Sequence, residues 1–399
     1  MIKTTILKHL SLFTLCTMIS LPFSASADVL PSPPVIDAKA WLLMSYESGQ
    51  VIASFKENEP LAPASLTKIM TSYVVGKEIN AGHINNDDLV IISENAWGKK
   101  FPGSSKMFLN IGDNVTVDQL NKGVIISSGN DATVALAEHV AGHQAAFIEM
   151  MNRQAEVIGM QNTYFTNPHG LDADEQFTTA YDMAILTRAL IKDLPVMYGL
   201  FKEKSFTFQD IKQGNRNGLL WDTTLNVDGV KTGHTSKAGY SLVSSAEQSG
   251  QRFIAVVMGT KSTGTRRSES KKLLTWGFRF YQDLTPTFDG KELEPIKVWY
   301  GSPSKVSVEL GDGGVITVPR RQRKNLEHKV FYNNNLEAPI SKGAQVGKIE
   351  WYLDEEILIV QPILALEDVV EAPWYGAAVD TIWRPISQWF STHDWEPEK

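Results

Sequence analysis

A lysine inside an apolar helical segment restricts the possible folds of this chain more than any other feature. The segment reads PASLTKIMTSYVVG over residues 63–76, and it places Lys68 among side chains typical of a protein core. Burial of an ammonium group is costly unless the group is paired or loses its proton. The segment therefore predicts a buried site at which Lys68 has a chemical role.

Ser65 precedes Lys68 by three residues, so both side chains share one face of the predicted helix. A serine hydroxyl is a weak nucleophile that needs a nearby base, and a lysine in a low-dielectric site can be that base. The same Ser-x-x-Lys spacing occurs at Ser268–Lys271 and at Ser302–Lys305. Those copies lie on a charged helix face and in a turn between strands, which indicates solvated side chains.

A second motif, Ser128-Gly129-Asn130, interrupts a helical region further along the chain. A turn there would direct the hydroxyl of Ser128 and the amide of Asn130 at one point, as proton relay and substrate donor. Ser93-Glu94-Asn95 matches the same loose pattern but lies in a polar loop, which makes it the weaker candidate.

A third motif, Lys231-Thr232-Gly233-His234, ends a predicted strand. Lys231 would supply positive charge for a substrate carboxylate, and Thr232 would supply a hydroxyl. Gly233 would leave room for a substrate that lies along the strand edge as an additional strand.

The order SxxK, SxN, KTG is the signature of penicillin-binding proteins and serine β-lactamases. The chain closely resembles D-alanyl-D-alanine carboxypeptidases of the penicillin-binding protein 5/6 type over nearly its whole length after residue 27. The segments that carry the resemblance are PASLTKIMTSYV, SSGNDA, NRNGLLWD, NVDGVKTGHTSKAGY and ESKKLLTWGFRF.

The resemblance implies an α/β (α+β) transpeptidase-like catalytic domain with an antiparallel sheet and helices, followed by a small all-β domain and a C-terminal amphipathic helix. It implies that Ser65 attacks the D-Ala–D-Ala peptide carbonyl of a peptidoglycan stem, with Lys68 as general base. Ser128 and Asn130 would relay the proton and hold the substrate.

The resemblance also implies which groups bind the oxyanion of the intermediate and the terminal carboxylate of the substrate. The oxyanion would lie between the backbone N–H groups of Ser65 and His234. β-Lactams would mimic the substrate and acylate Ser65, and the mechanism requires no metal or cofactor. The substrate's terminal carboxylate would contact Lys231, Thr232 and Arg266, and Arg216 is a weaker candidate for organising the site.

Changes in composition and residue pattern along the chain predict four regions. Residues 1–27 read as a secretory signal, with a basic start, an apolar run and the cleavage pattern Ala25-Ser26-Ala27; an uncleaved anchor is the alternative. Residues 28–284 would form the catalytic domain, 285–369 the all-β domain, and 370–399 the amphipathic helix and tail.

The single cysteine, Cys16, lies in the signal, so the exported chain would have no disulfide. We expect a periplasmic enzyme attached peripherally to the outer face of the bacterial inner membrane.

The C-terminal segment has aromatic and aliphatic side chains at helical spacing, which is typical of a helix in a membrane interface. A helix docked on its own protein and a dimer contact are the alternatives. Arg384 is the main positive charge of the segment, and Pro385 is expected to break the helix. The residues of the stripe are Tyr375, Val379, Ile382, Trp383, Ile386, Trp389 and Phe390.

The sequence also bears on other classes of function. A net charge of −7 argues against a nucleic-acid partner. A D,D-endopeptidase and a weak β-lactamase would use the same motifs, although no Glu-x-x-Leu-Asn loop lies between Asn130 and Lys231. A non-enzymatic wall-binding scaffold would be free to lose the motif residues. A metal hydrolase could use His139 and His143, which lie four apart on a predicted helix, but Val140 replaces the glutamate of H-E-x-x-H and no third ligand is evident.

Overall fold

The computed structural model describes residues 31–288 and 293–391. The predicted signal, residues 1–27, lies outside them. A five-stranded, fully antiparallel sheet forms the centre of the first part, with strand order β2-β1-β9-β8-β7. The strands before residue 285 are β1 (Ala40–Ser45), β2 (Val51–Phe55), β3 (Leu89–Ile91), β4 (Asn114–Thr116), β5 (Ser205–Phe208), β6 (Ile211–Gly214), β7 (Val227–Thr235), β8 (Gly239–Gln248), β9 (Gln251–Thr260) and β10 (Tyr281–Leu284).

Helices cover both faces of this sheet. Single 3-10 turns lie at Ala64–Leu66, Gly98–Lys100, Leu200–Lys202 and Gly218–Trp221. The α-helices are α1 (Thr67–Asn80), α2 (Val117–Ile125), α3 (Asn130–Ala141), α4 (Gln144–Ile158), α5 (Ala180–Asp193), α6 (Pro195–Gly199) and α7 (Thr263–Phe280).

Strand β1 shows why helices must pack on both faces of the sheet. Its side chains alternate between faces, and all six of its residues are buried. Leu42 and Met44 join a core that includes α1. Trp41 and Leu43 join a second core, which includes Leu273 and other residues of α7. The predicted α+β catalytic fold with an antiparallel sheet is confirmed.

Polar side chains define where several helices begin. Thr116 and Gln119 form a reciprocal capping box at the start of α2. Thr179 caps α5, and Ser262 caps α7. These caps fix the ends of elements that the active site depends on, because α2 precedes the SxN motif and α7 carries Arg266.

Among the described residues after 284, the second part of the chain is all β apart from one 3-10 turn and the last helix, which confirms the predicted small β-domain. Its main sheet has the order β14-β18-β17-β16, around a separate apolar core. The 3-10 turn is Arg323–Asn325, and the strands are β11 (Ile296–Lys297), β12 (Gly301–Ser302), β13 (Lys305–Val306), β14 (Val308–Leu310), β15 (Ile316–Pro319), β16 (Glu327–Tyr332), β17 (Gln345–Leu353), β18 (Glu356–Ala365) and β19 (Val370–Glu371).

The last helix, α8 (Trp374–Ser391), continues through Pro385, so the expectation that this proline breaks the helix is wrong. Proline has a fixed φ that suits a helix, and it removes a single N–H donor from an 18-residue element. Trp374, Val379, Ile382 and Trp383 of the helix are exposed. The side chains of Tyr375, Ile386, Trp389 and Phe390, also part of the predicted stripe, lie outside the described residues. None of the helices within residues 31–288 and 293–391 is long and apolar enough to cross a membrane.

The prediction that His139 and His143 share one helix is wrong. His139 is on α3, whereas His143 precedes α4 and caps it by accepting from the backbone N–H of Ala146. Gly142, with φ of +76°, ends α3 between them. Within the described residues, no three His, Cys, Asp or Glu side chains gather as metal ligands.

Candidate active site

Ser65 lies in the 3-10 turn that leads into α1, and Lys68 lies one turn later. The Nζ atom of Lys68 is 3.4 Å from the Oγ atom of Ser65. Lys68 is fully buried, whereas Ser65 is partly accessible from a cleft of about 500 Å³. The nucleophile candidate thus faces the cleft, and its candidate base lies behind it.

The Lys68 ammonium group has two further acceptors. It donates to the Oδ1 atom of Asn130 at 2.7 Å and to the backbone carbonyl of His169. Burial, followed by the positive charge of Arg216, lowers the pKa of Lys68 to about 7. A lysine with this pKa exchanges its proton near neutral pH, as a general base must.

Ser128 lies in the connection between α2 and α3, and Asn130 is the first residue of α3, so the helical region is interrupted at SxN as the sequence predicted. Ser128 has a left-handed backbone, with φ of +58°, and accepts a hydrogen bond of 2.9 Å from the Nζ atom of Lys231. Lys231 is buried on β7, and its pKa is lowered by burial and by nearby cations, Lys68 first among them. The geometry therefore brings the SxxK, SxN and KTG motifs into one site.

The edge strand β7 forms one wall of the cleft. Thr232, Gly233 and His234 line it, and the ring of His234 stacks on Tyr240 with centroids 4.0 Å apart. A Cβ atom on Gly233 would lie 3.0 Å from the carbonyl oxygen of Pro63, so glycine lets the strand approach the turn that carries Ser65.

Two arginines lie at the same end of the cleft. Arg266 reaches from α7 and donates to the carbonyl of Gly233 at 3.0 Å. Arg216, between β6 and the 3-10 turn at Gly218–Trp221, lines the cleft as well. Burial and the charge of Arg216 lower the pKa of Arg266 to about 10. All ten residues predicted for the site thus lie in this region.

Sequence reasoning gave no role to Asp131, which organises the opposite wall. This fully buried carboxylate accepts from the backbone N–H groups of Met107, Phe108 and Leu109 at 2.8–3.1 Å. It thereby holds the loop in which Ser104 accepts from the amide of Asn130 at 3.0 Å. The sequence feature that could have indicated this role is the position of a charged residue directly after the SxN motif.

The alternative sites found in the sequence lie elsewhere. Ser93 and Asn95 both donate to the carboxylate of Glu138, away from the cleft. Lys271 pairs with Asp222 at 2.6 Å, on the outer helix α7. The copy at Ser302–Lys305 is a turn between β12 and β13, as predicted.

Comparison with known proteins identifies two family regions. Residues 27–262 match the family described as D-alanyl-D-alanine carboxypeptidase, Peptidase_S11. Residues 281–371 match the C-terminal domain of penicillin-binding protein 5.

Similar curated proteins include DacC and DacA of Escherichia coli, both D-alanyl-D-alanine carboxypeptidases. DacC is 47% identical over 93% of this chain and 94% of its own length. DacA is 44% identical over 96% of this chain and 98% of its own length.

Among solved structures, penicillin-binding protein 5 of Haemophilus influenzae matches with a TM-score of 0.80. It is 46% identical, and the match covers 86% of this chain and all of that chain. With the three motifs brought together in the cleft, these matches show that the chain belongs to the D-alanyl-D-alanine carboxypeptidase family of penicillin-binding serine hydrolases.

Proposed function

We propose that Ser65 is the nucleophile of this carboxypeptidase and that it removes the terminal D-alanine from peptidoglycan pentapeptide stems. The observation that carries the proposal is the placement of the Ser65 hydroxyl at the cleft, with the buried Lys68 3.4 Å behind it. A hydroxyl with an adjacent base of lowered pKa is the arrangement that nucleophilic catalysis requires.

In the proposed reaction, the Oγ atom of Ser65 bonds to the carbonyl carbon of the penultimate D-alanine and gives its proton to neutral Lys68. Backbone N–H groups of Ser65 and His234 stabilise the oxyanion. The C–N bond then breaks, and the leaving amine takes a proton from Lys68 through Ser128. Water next adds to the ester, which regenerates Ser65 and releases the shortened peptide.

The carboxylate of the substrate binds at the cationic end of the cleft. Thr232, Arg266 and Arg216 line this end, Lys231 lies next to it with its Nζ atom on Ser128, and Asn130 holds the peptide on the other side. β-Lactams occupy the same place and acylate Ser65. The residues at the cationic end make an anionic chain terminus a requirement for efficient binding.

The test uses residues 28–399 as wild type, Ser65→Ala and Ser268→Ala. Each protein is incubated with a fluorescent penicillin and with diacetyl-Lys-D-Ala-D-Ala, and covalent label and free D-alanine are measured. Ser65→Ala is expected to lose both signals by about a thousandfold or more. Ser268→Ala keeps both, because Ser268 lies on the outer helix α7. Release of D-alanine by Ser65→Ala at the wild-type rate contradicts the proposal.

We also propose that the protein is periplasmic and that α8 attaches it to the outer face of the inner membrane. The polar side of α8 contacts the β-domain: Asp380 accepts from Lys297 at 2.9 Å, and Arg384 pairs with Glu337 at 2.6 Å. On the other side, Trp374 is 83% exposed and Trp383 is 59% exposed. A helix held by its polar side with tryptophans outward suits a membrane interface.

Sedimentation with anionic phospholipid vesicles tests this attachment. The double variant Trp374→Ser/Trp383→Ser is expected to bind at least about tenfold more weakly than wild type. Trp221→Ser is the matched control, because Trp221 is also exposed but lies in the catalytic domain. Equal vesicle binding by wild type and the double variant rules out attachment through this face.

A further inference from the structure

A second cleft of about 510 Å³ adjoins the active site at its cationic end. The two clefts share Arg216, Thr232 and Arg266, so they are continuous at the point where the substrate carboxylate is proposed to bind. The second cleft then extends along α7 to Arg267. The leaving group of the proposed reaction points toward this extension, because the leaving residue carries the terminal carboxylate.

The extension is positively charged, and none of its lining residues is acidic. Arg267 is exposed, and among the described residues its guanidinium has neither a carboxylate partner nor a hydrogen bond. Unlike Arg266, whose guanidinium is anchored on the carbonyl of Gly233, Arg267 is free to bind an added anion.

Two features keep the extension open. Gly218 forms part of its wall, and a Cβ atom there would lie 3.1 Å from the Cδ atom of Arg267. Gly264, at the start of α7, lines it without a side chain. D-Alanine, with one methyl group, leaves this space empty.

We propose that the extension is a subsite for leaving groups larger than D-alanine that carry a second carboxylate, and that Arg267 binds this carboxylate. The inference rests on the proposed function, because the subsite is defined relative to the carboxylate bound by Thr232 and Arg266. A D-amino acid with an acidic side chain, such as D-glutamate, has the required chemistry: its α-carboxylate occupies the shared end and its side chain reaches the extension.

The experiment compares three peptides, diacetyl-Lys-D-Ala followed by D-Ala, D-Gln or D-Glu. The last two have the same shape and differ in the second carboxylate. For each protein, the ratio of kcat/KM for D-Glu to kcat/KM for D-Gln is measured, so that any loss of folded enzyme cancels. Wild type is expected to prefer D-Glu by about five-fold, the effect of one partly exposed ion pair.

Arg267→Ala is expected to bring this ratio close to one, while Arg279→Ala keeps it at the wild-type value. Arg279 is the matched control because it is an exposed arginine near the other end of the same helix. A wild-type ratio of one, or an unchanged ratio in Arg267→Ala, overturns the subsite while D-Ala release still supports the proposed function. Failure of wild type to release any of the three leaving groups overturns the proposed function, and the subsite with it.

Discussion

The surroundings of Lys68 lower the pKa of its ammonium group to near neutral pH. Burial is the largest influence on its pKa, the charge of Arg216 acts in the same direction, and Asp131 partly opposes both. The result, a pKa of about 7, means that the neutral base is well populated at physiological pH. The cost of burying the Lys68 charge is therefore reduced because the side chain can lose its proton near neutral pH.

This pKa predicts the pH dependence of acylation. Neutral Lys68 is the form that accepts a proton, so the rate falls as pH drops below the pKa. The acylation rate constant with a fluorescent penicillin is expected to fall about tenfold for each pH unit below about 7 and to be flat above it. Stopped-flow fluorescence between pH 5.5 and 9 measures this profile.

Arg216→Gln supplies the companion measurement. Removing this cation takes away one of the two influences that lower the Lys68 pKa, so the midpoint of the profile moves to higher pH. The midpoint is independent of any change in absolute rate. If the acylation rate constant does not decrease below about pH 7, or if Arg216→Gln moves the midpoint of the pH profile to lower pH, Lys68 is not the titrating base.

Among the elements, those with regular patterns could be predicted from the sequence. The apolar runs of β1 and α1 and the glycines of β7 give local signals, and the three motifs fix which elements must meet. The connection at His169–Gly170 gives no such signal. It lies 101 residues after Lys68 yet supplies a carbonyl to the Lys68 ammonium group. Contacts of this kind depend on tertiary packing, and so does the role of Asp131, whose partners are backbone groups of a distant loop.

Gly170 provides a test of this connection. Its φ is +85°, and a Cβ atom would lie 1.9 Å from the carbonyl oxygen of Ala64, the residue before Ser65. Gly170→Ala is expected to lower the free energy of unfolding by about 3 kcal/mol or more, because strain and overlap add. Urea denaturation measures the loss, and acylation of the folded fraction is expected to slow because Ser65 must move.

Gly142→Ala separates strain from overlap. Gly142 also has a positive φ, +76°, but a Cβ atom there meets nothing within 4 Å. Its cost is expected to be about 1 kcal/mol, with normal acylation. Equal costs at the two glycines show that the contact between Gly170 and the Ser65 turn does not restrict the site.

A polar cluster joins the catalytic domain to the β-domain. Asp283 is partly buried, and its carboxylate accepts from Ser45 at 2.9 Å and from Thr317 at 2.6 Å. Thr317 lies on β15, which pairs with β10, and its hydroxyl is also 2.6 Å from that of Ser48. Burial raises the pKa of Asp283. Because Ser45 and Thr317 both donate to the Oδ1 atom of Asp283, loss of the Thr317 hydroxyl leaves this partly buried carboxylate with one donor fewer.

Thr317→Val tests whether this cluster couples the two domains. The substitution keeps the shape of the side chain but removes the donor to Asp283, at a cost of about 1–2 kcal/mol. We expect the calorimetric midpoint to fall by about 2–4 °C or more and the transition to broaden as the domains begin to unfold separately. Thr207→Val is the control, since Thr207 is exposed on β5 and its replacement is expected to change stability by at most about 0.5 kcal/mol. Matching transitions in the two variants mean that the strand pairing of β10 with β15, and not the polar cluster, holds the domains together.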